Sequence, residues 1–402
     1  MGASNGPLKG MKVIELAHVM AGPTCGRMLA DMGADVIKVE RVPDGDDTRR
    51  FLPPDIEGES AAFMMMNRNK RGVAIDLKNE AGRGVLLKML ESADAVLENY
   101  RADTMAKLGL GYDDLKAHNP GLIYCAISGF GRTGPYAHRG GYDLIAQGMS
   151  GLMSITGEGP GREPVKVGAP VTDITAGILG AMGVSAAYAH KLKTGEGQMV
   201  DTSLYEAGIT HTYWQSAIAL ATGVAPGPMG SRHPLNAPYQ AFQTADGWIT
   251  IGASNTRNWQ RLLDLLEKPE LADDPRFKDG AGRMENIDAM IDILTEVFRT
   301  RPNAHWLAAL EGVGIPAGPV FDINEMNADP HTLARDMVVE VTHPTAGPVK
   351  TIGAPVKFSE TPGGVETAAP LYGQHTREVL AEYGYAAAEI DALVAAGAVI
   401  AA

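Results

Sequence analysis

Cysteine, long apolar runs and an excess of basic residues are all lacking in this sequence of 402 residues. The two cysteines, Cys25 and Cys125, are far apart and form no C-x-x-C pair, so neither a disulfide framework nor a thiolate zinc site is supported. No run approaches the roughly 18 apolar residues of a membrane span. The net charge of −13 argues against nucleic acid or an anionic membrane surface as the main partner.

Several catalytic and targeting motifs are also missing. The histidines show neither H-x-H nor H-E-x-x-H spacing, and there is no G-x-S-x-G, which argues against a metal site and a serine hydrolase. GFGRTG (129–134) matches a dinucleotide fingerprint, but Pro135 and a loop follow where a helix should begin, so no nicotinamide site is predicted. The start, MGASNGPLKG, lacks a basic region followed by an apolar one, so we expect no secretory leader and a cytoplasmic protein.

Short β-rich runs alternate with helical patterns along the first 130 residues. Strands are predicted at 11–17, 34–40, 71–77, 94–100 and 122–128, and helices at 21–33, 79–93 and 113–119. This alternation predicts an α/β fold with a parallel, doubly wound sheet.

The second half of the chain changes in composition. Residues 223–238 are rich in Gly and Pro, Asp246-Gly247 is typical of a hairpin turn, and helices are predicted at 256–266, 283–299 and 303–312. Strand candidates near 337–341 and 349–353 and a helix from about residue 375 follow. We predict a large Rossmann-like domain in 1–224, a small inserted α+β domain in 225–325, and a return of 326–402 to the large domain.

The stretch GAPVTDITAG (168–177) carries one charge, Asp173, and precedes an Ala/Gly-rich helix predicted to run to about residue 190. An Asp that begins a helix is most often an N-cap. The same position suits a reactive group, because helix N–H donors can stabilise an anion or the oxyanion of a tetrahedral intermediate. A carboxylate can attack a thioester, since a thiolate leaves readily. Both interpretations remain open on the residues alone.

Basic residues recur near predicted strand ends and the adjoining loops: NRNKR (67–71), Arg101, Lys107, His138 and Arg139. Each is compatible with a solvated surface charge. Together they could form a phosphate-binding face at the crevice of an open α/β sheet.

Stretches along nearly the whole chain resemble the class III CoA-transferases, the family that includes formyl-CoA transferase and carnitine CoA-transferase. They are VIELAHVMAGP (13–23), GADVIKVER (33–41), NRNKRGVAIDL (67–77), VLENYRADTMAKLGLGYDDL (96–115), GYDLIAQGMSG (141–151), GAPVTDITAG, GIPAGPV (314–320) and GQHTREVL (373–380). The resemblance implies a Rossmann-like large domain built from both chain ends, a small inserted domain, and an interlocked homodimer.

The resemblance also implies a reaction and a set of site residues. Asp173 would be catalytic, and CoA would move from an acyl-CoA to a carboxylic acid through an aspartyl anhydride and an aspartyl-CoA thioester. CoA and acyl-CoA would be substrates, with no metal and no tightly bound cofactor. The residues implied or expected to bind CoA are His18, Val19, Met20, Arg41, Asn69, Lys70, Arg71, Asn99, Lys107, Arg139 and Tyr142.

The sequence departs from formyl-CoA transferase at three places. Met20 stands where that enzyme has Gln, Val42 replaces a CoA-contacting Arg and leaves Arg41 as the nearest basic residue, and 231–240 replaces a Gly-run loop. The loop is more similar to relatives that use dicarboxylic acids such as succinate or glutarate derivatives. Arg49 and His233 are candidates for the acceptor's distal carboxylate, with structural roles as the alternative.

Two other functions are considered. An α-methylacyl-CoA racemase of the same superfamily needs a His/Asp pair, but Tyr142 stands where its histidine would be, and tyrosine is a poor base at neutral pH. A CoA-binding protein without turnover would bind CoA and catalyse no acyl exchange.

Overall fold

The computed structural model describes residues 5–402 and divides them into two units. Residues 1–4, the beginning of the stretch considered for a leader, lie outside the described residues. The first unit comprises the chain up to Gly151, Val167–His211 and Pro330–Ala402, and the second comprises Leu152–Lys166 and Thr212–Asp329. Residues 225–325 fall inside the second unit.

The elements of the described residues are numbered in chain order. The strands are β1 Lys12–Glu15, β2 Asp35–Glu40, β3 Asp55–Ile56, β4 Glu59–Ser60, β5 Lys70–Ile75, β6 Ala95–Glu98, β7 Ile123–Ser128, β8 Met199–Ser203, β9 Tyr239–Gln243, β10 Trp248–Gly252, β11 Ala317–Pro319, β12 Val338–His343, β13 Gly347–Ile352 and β14 Val399–Ile400. The helices are α1 Ala21–Asp31, α2 Ala61–Asn67, α3 Glu80–Leu90, α4 Thr104–Lys107, α5 Tyr112–His118, α6 Asp143–Met149, α7 Leu152–Ile155, α8 Val171–Thr194, α9 Leu204–Thr210, α10 Tyr213–Thr222, α11 Thr256–Leu265, α12 Gly280–Glu285, α13 Ile287–Phe298, α14 Asn303–Gly312, α15 Ile323–Ala328, α16 Pro330–Ala334, α17 Thr376–Glu382 and α18 Ala387–Ala395. Two 3₁₀ turns lie at Asp47–Arg50 and Pro269–Ala272.

A seven-stranded sheet in the order β14-β5-β2-β1-β6-β7-β8 forms the centre of the first unit. The strands are parallel except β14, which runs antiparallel to β5, so the predicted parallel α/β sheet is confirmed. The chain passes from β1 to β2 and β5, then returns to β6 on the other side of β1. The topological switch point therefore lies between the carboxyl ends of β1 and β6, where ligands bind in open α/β sheets.

Both faces of this sheet are covered, because successive strand residues point to opposite sides. In β1, Ile14 packs into a core with α3, α5, α17 and α18, whereas Val13 packs into a second core with α1, α6, α8 and α9. Burial on both faces explains why the strands are apolar runs rather than alternating patterns. The fold is therefore doubly wound.

Helix α8 is long and apolar enough, by length and composition, to cross a membrane. It packs on α1, α9 and strands β7 and β8 of the first unit. It begins at Val171 and ends at Thr194, before Gly195, whose φ of 79° allows the left-handed turn that ends a helix.

The second unit contains a three-stranded antiparallel sheet, β11-β10-β9. Its β9–β10 hairpin turns at the predicted Asp246-Gly247, and the sheet packs on a core that includes Phe242, Trp259 and Phe298. The strand candidates near 337–341 and 349–353 form a separate hairpin, β12–β13, in the first unit. The strand that joins the large sheet from the chain's end is β14 instead.

Candidate active site

Helices α1 and α8 run side by side in the same direction. A Cβ on Gly177 would lie 2.5 Å from the carbonyl oxygen of Ala21, and one on Gly180 would lie 3.3 Å from Sγ of Cys25. Successive turns of one helix therefore meet successive turns of the other, and at Gly177 a side chain would collide with the backbone of α1. The amino ends of both helices lie at one edge of the sheet, and Asp173 lies one turn before Gly177 at this end.

Asp173 is not the N-cap of its helix, so that interpretation of the sequence was wrong. The N-cap is Pro170, and Asp173 lies in the first turn. The free N–H of Thr172 donates instead to Oδ1 of Asp143 at 2.9 Å, and the Thr172 hydroxyl donates to the same oxygen at 2.7 Å. A carboxylate from α6 thus takes the capping role, and within residues 5–402 no hydrogen bond neutralises the carboxyl of Asp173.

The environment of Asp173 disfavours its charged form. Burial, with the nearby Asp143 carboxylate as the second cause, raises the pKa of Asp173 to about 7. Perturbation of this kind, by desolvation and one specific neighbour, is frequent at functional sites. A carboxylate of higher pKa is also the stronger nucleophile once it ionises. Asp173 is therefore the candidate reactive group at this end of the two helices.

The loop between β1 and α1 is held by three side chains. Lys38 donates to the carbonyl of Ala17 at 2.8 Å, and Asn99 exchanges two hydrogen bonds with the backbone of His18, at 2.9 and 2.8 Å. Asp46 accepts the N–H of Val19 at 3.2 Å. Val19 has φ of 65°, a strained conformation for a β-branched residue, which persists only where surrounding contacts impose it.

A cluster of buried, paired charges lies beneath this loop. Lys38 Nζ is 2.8 Å from Asp46 and 3.2 Å from Glu15, and Lys70 Nζ is 2.8 Å from Glu15. Burial alone would raise the pKa of Asp46 and lower that of Lys38, but their mutual attraction moves both pKa values in the opposite direction, and Glu15 adds to the rise for Lys38. Lys38 and Asp46 therefore remain ionised in the interior and hold the loop through its backbone.

His18 is neutral in this setting. Burial, followed by the positive charge of Lys38, lowers the pKa of His18 to about 4. Its Nε2 lies 3.1 Å from the hydroxyl of Tyr100, and its Nδ1 is buried without a hydrogen-bond partner among the described residues. The ring therefore carries no charge with which to bind phosphate.

The amino end of α1 has hydrogen-bond donors for an anion. Met20 is the N-cap and makes no side-chain capping bond. The N–H groups of Ala21 and Gly22 lie in the first turn, where a helix provides no intrahelical acceptors. Gly22 also packs against Ala17 and Asn99, so this turn is held firmly on the loop. Such donors suit a developing oxyanion.

Three residues expected to bind CoA have side chains committed to the protein: Asn69, Lys70 and Arg71. Asn69 donates to Asp31 and Gly364 and accepts the N–H groups of 366 and 367. Arg71 pairs with Asp35 at 2.6 Å and with Glu378 and Glu382, which ties the C-terminal segment to the sheet. All three are buried at the start of β5, away from its carboxyl end. These side chains are therefore paired within the protein, and their role in CoA binding stays a prediction.

The remaining candidates are exposed or partly exposed. Arg41 pairs with Asp47, Lys107 pairs with Asp103, and the guanidinium of Arg139 lies 4.1 Å above the ring of Tyr136. Tyr142 is 80% exposed and precedes α6. Among the predicted residues, the structure therefore brings His18, Val19, Met20 and Asn99 to the switch point.

The two candidates for an acceptor carboxylate have structural partners. Arg49 forms two 2.7 Å bonds to Glu40 and lies 3.6 Å from the ring of Phe63. His233, in the second unit, accepts the N–H of Leu235 and contacts the rings of Trp214 and Tyr239. The contacts of Arg49 and His233 within their own units therefore agree with structural roles for both residues.

Sequence reasoning missed Asp143, Lys38 and Asp46 as parts of the site. Lys38 had a visible signal, because it is flanked by apolar residues in its strand, and a buried lysine must find a partner. Asp143 and Asp46 had none, since each acts on a backbone N–H that lies 29 and 27 residues away in sequence.

The doubly wound sheet and the buried, unpaired carboxyl of Asp173 define an α/β protein with a candidate reactive group at the amino ends of two of its helices. The sequence profile of "CoA-transferase family III" matches residues 8–376, and the chain belongs to this family. It is 41% identical over 383 residues to a succinate–glutarate CoA-transferase of Agrobacterium fabrum, covering 94% of this chain and 95% of that one. It is 36% identical to the human succinyl-CoA:glutarate CoA-transferase, covering 98% and 90%.

A solved structure agrees with this assignment. A "CAIB/BAIF family protein" from Brucella suis is 40% identical and superposes with a TM-score of 0.84, covering 94% of this chain and all of that one. The protein is therefore a CoA-transferase, as the resemblance in the sequence predicted.

Proposed function

We propose that this enzyme transfers CoA from an acyl-CoA to a dicarboxylic acid, with Asp173 as the covalent nucleophile. The observation that carries the proposal is the unpaired carboxyl of Asp173 at the shared amino end of α1 and α8, where its pKa is raised to about 7. Its position beside free helix N–H donors provides both the nucleophile and the groups that stabilise the oxyanion.

The reaction proceeds in four acyl-transfer steps. The Asp173 carboxylate attacks the thioester carbonyl, the C–S bond breaks, and CoA thiolate leaves an aspartyl anhydride behind. The thiolate then attacks the aspartyl carbonyl, so the donor acid leaves and an aspartyl-CoA thioester forms. The acceptor carboxylate attacks that thioester and releases the thiolate again. The thiolate finally attacks the acceptor's acyl carbon and frees Asp173.

No proton is gained or lost over this cycle, because carboxylates and thiolate exchange places. The neutral His18 is consistent with this balance, since the steps need no general base. The N–H groups at the start of α1 would stabilise each tetrahedral oxyanion. We propose that the cycle needs no metal and no tightly bound cofactor, and that His18, Val19, Met20 and Asn99 hold the CoA thioester at the switch point.

The relatives support a dicarboxylic acceptor. Their names specify succinate–glutarate, succinyl-CoA:mesaconate, acetyl-CoA:oxalate and succinyl-CoA–D-citramalate CoA-transferases. Every acid in these names except acetate carries two carboxyl groups. We therefore propose succinyl-CoA as the first donor to try and a C4 or C5 dicarboxylate as the acceptor.

The test combines a substrate panel with trapping of the intermediate. Acyl-CoA donors are incubated with mono- and dicarboxylates, and products are identified by mass spectrometry. Asp173→Ala and Asp173→Asn should abolish transfer, whereas Asp113→Asn, at an exposed aspartate of α5, should retain it. Hydroxylamine with succinyl-CoA should convert Asp173 to a hydroxamate in the wild type. Transfer at the wild-type rate by the Ala variant would refute the covalent route.

We also propose that the enzyme is an interlocked homodimer in the cytoplasm. Helix α8 leaves Ile178, Met182 and Leu192 exposed, and α10 buries none of its residues while exposing Trp214 and Leu220. Apolar surface of this extent is typical of an oligomer interface. Two differently tagged pools should form no mixed dimers when mixed under native conditions, because interlocked subunits separate only on unfolding. A monomer in sedimentation would contradict the proposal.

A further inference from the structure

The carboxylate of Asp143 makes several hydrogen bonds that have no part in the reaction steps described above. Its Oδ1 accepts the N–H and the hydroxyl of Thr172, and its Oδ2 accepts Nε2 of Gln147 at 2.7 Å. Gln147 in turn accepts the N–H of Val167 at 2.9 Å. Thr172 and Gln147 are fully buried. A hydrogen-bonded chain therefore joins the residue before Asp173 to α6.

The backbone that carries Asp143 is fixed where Gly141 crosses Gly129 of the GFGRTG loop. A Cβ on Gly141 would lie 2.5 Å from Cα of Gly129, and one on Gly129 would lie 2.7 Å from Cα of Gly141. These two segments of the chain cross so closely that no residue other than glycine fits at either position. The loop that resembles a nucleotide fingerprint therefore serves to place residues 141–143.

We propose that Asp143 is a positioning residue of this transferase: it holds the first turn of α8 through Thr172 and sets its own negative charge beside the nucleophile. The proposal rests on the function proposed above for Asp173. It gives the Gly-Tyr-Asp stretch a role in the acyl-transfer reaction, with the aspartate rather than the exposed tyrosine as its important member.

The charge of Asp143 has a specific consequence for the nucleophile. The other titratable groups facing this part of α8 are Cys25 from α1 and His211, whose Nε2 lies 2.8 Å from the Thr175 hydroxyl. Neither contributes to the raised pKa of Asp173, which has burial and Asp143 as its causes. Removal of the Asp143 charge should therefore let Asp173 ionise at lower pH.

The test separates charge from hydrogen bonding with paired variants. Gln147→Ala keeps the Asp143 charge, whereas Asp143→Asn/Gln147→Ala removes it without bringing two amide donors into contact. The amide oxygen that the double variant places at position 143 can still accept the N–H of Thr172. The titration of Asp173 is followed by ¹³C NMR with carboxyl-labelled aspartate, its resonance being identified by its loss in Asp173→Asn. Values of kcat/KM are measured against pH in parallel, since they report ionisations of the free enzyme.

We expect Gln147→Ala to titrate at about the wild-type pH and the double variant about one pH unit lower. The acid limb of kcat/KM should move by the same amount. Thr172→Val keeps the charge but loses the hydroxyl bond, and should lower kcat about three- to tenfold with the titration unchanged. Asp279→Asn, which alters a helix-capping aspartate of the second unit, should change none of these values.

Equal titration of Asp173 in the two Gln147 variants would overturn the role of the charge. An unchanged kcat in Thr172→Val would overturn the role of the hydrogen bonds. The NMR titration does not depend on turnover, so it gives its answer even if Asp173 proves not to be the nucleophile. Failure of the proposed function is recognised separately, by full transfer activity in Asp173→Ala.

Discussion

Two groups of buried charges in the first unit differ in whether they have partners. Beneath the β1–α1 loop, Glu15, Lys38, Asp46 and Lys70 are fully buried, and each has an opposite charge within 3 Å. At the start of α8, Asp173 has a like charge as its neighbour and no salt bridge among the described residues. The same physical cost of burial is offset in one place and left uncompensated in the other.

This difference distinguishes charged groups that hold the structure from a charged group that can take part in a reaction. Paired charges keep their ionisation and fix backbone atoms, here the carbonyl of Ala17 and the N–H of Val19. An unpaired carboxyl keeps a proton until a pH near 7 and is reactive when it loses it. Lys70 lies between these cases, because burial lowers its pKa to about 8 even though Glu15 attracts it.

Breaking the paired cluster should give the largest change in stability. Lys38→Met leaves the buried Asp46 without its partner, and removal of one partner of a buried pair costs about 3–5 kcal/mol. Chemical denaturation at pH 7.5 would measure this loss in the free energy of unfolding. Lys116→Met, at an exposed lysine, is the matched control and should be nearly neutral. Similar stability of the two variants would mean that the cluster is not needed to hold the loop.

Removing the unpaired charge of Asp173 should increase the free energy of unfolding, whereas breaking the paired cluster should decrease it. The pKa of Asp173 is about 7 in the folded state and about 3.9 in an unfolded chain, so stability falls as pH rises from about 4 to 7. Asp173→Asn carries no charge and should be more stable than the wild type by on the order of 2 kcal/mol above pH 7. The gain should vanish below about pH 4, where both side chains are neutral.

Unfolding of the wild type and Asp173→Asn at pH 4, 6 and 8 would follow this divergence. Asp113→Asn, at an exposed aspartate of α5, serves as the control. A difference that is constant with pH would show that Asp173 is not strained by burial, and the contrast between the two groups of charges would disappear.

Much of the sheet was predictable, because its signals are local. The second strand was predicted at 34–40 and runs Asp35–Glu40, and the helix after Asp173 was predicted to about residue 190 and runs to Thr194. Apolar runs on both sides of a helix are enough to indicate buried parallel strands. The resemblance to class III CoA-transferases predicted the reaction class, which a profile over 8–376 confirms.

The site was less predictable, because its decisive contacts join distant residues. Asp173 looked like a cap because the sequence does not reveal that Asp143 supplies one from α6. Arg71 looked like an exposed basic residue because Glu378 and Glu382 lie more than 300 residues further along. Long-range pairing of charges leaves no periodic pattern, so composition cannot distinguish a phosphate ligand from a structural ion pair.

Replacement of Lys107 should have the smallest effect of these changes, and it should alter only the KM for acyl-CoA. Its ammonium and its partner Asp103 are both exposed, so the pair differs from the buried cluster and from Asp173 in being fully hydrated. Exposed pairs of this kind contribute little to stability. Lys107→Ala should therefore unfold at the wild-type temperature.

If Lys107 contacts CoA, as the resemblance implies, its loss should raise KM for acyl-CoA about two- to fivefold at low ionic strength, with kcat unchanged. The increase should shrink as salt is added, because a surface charge is screened over about 10 Å at 0.1 M. Lys116→Ala, at an exposed lysine of α5, should leave KM at the wild-type value at every salt concentration. An unaltered KM in Lys107→Ala at low salt would remove this residue from the CoA-binding set and leave the β1–α1 loop and Asn99 as the groups that hold the substrate.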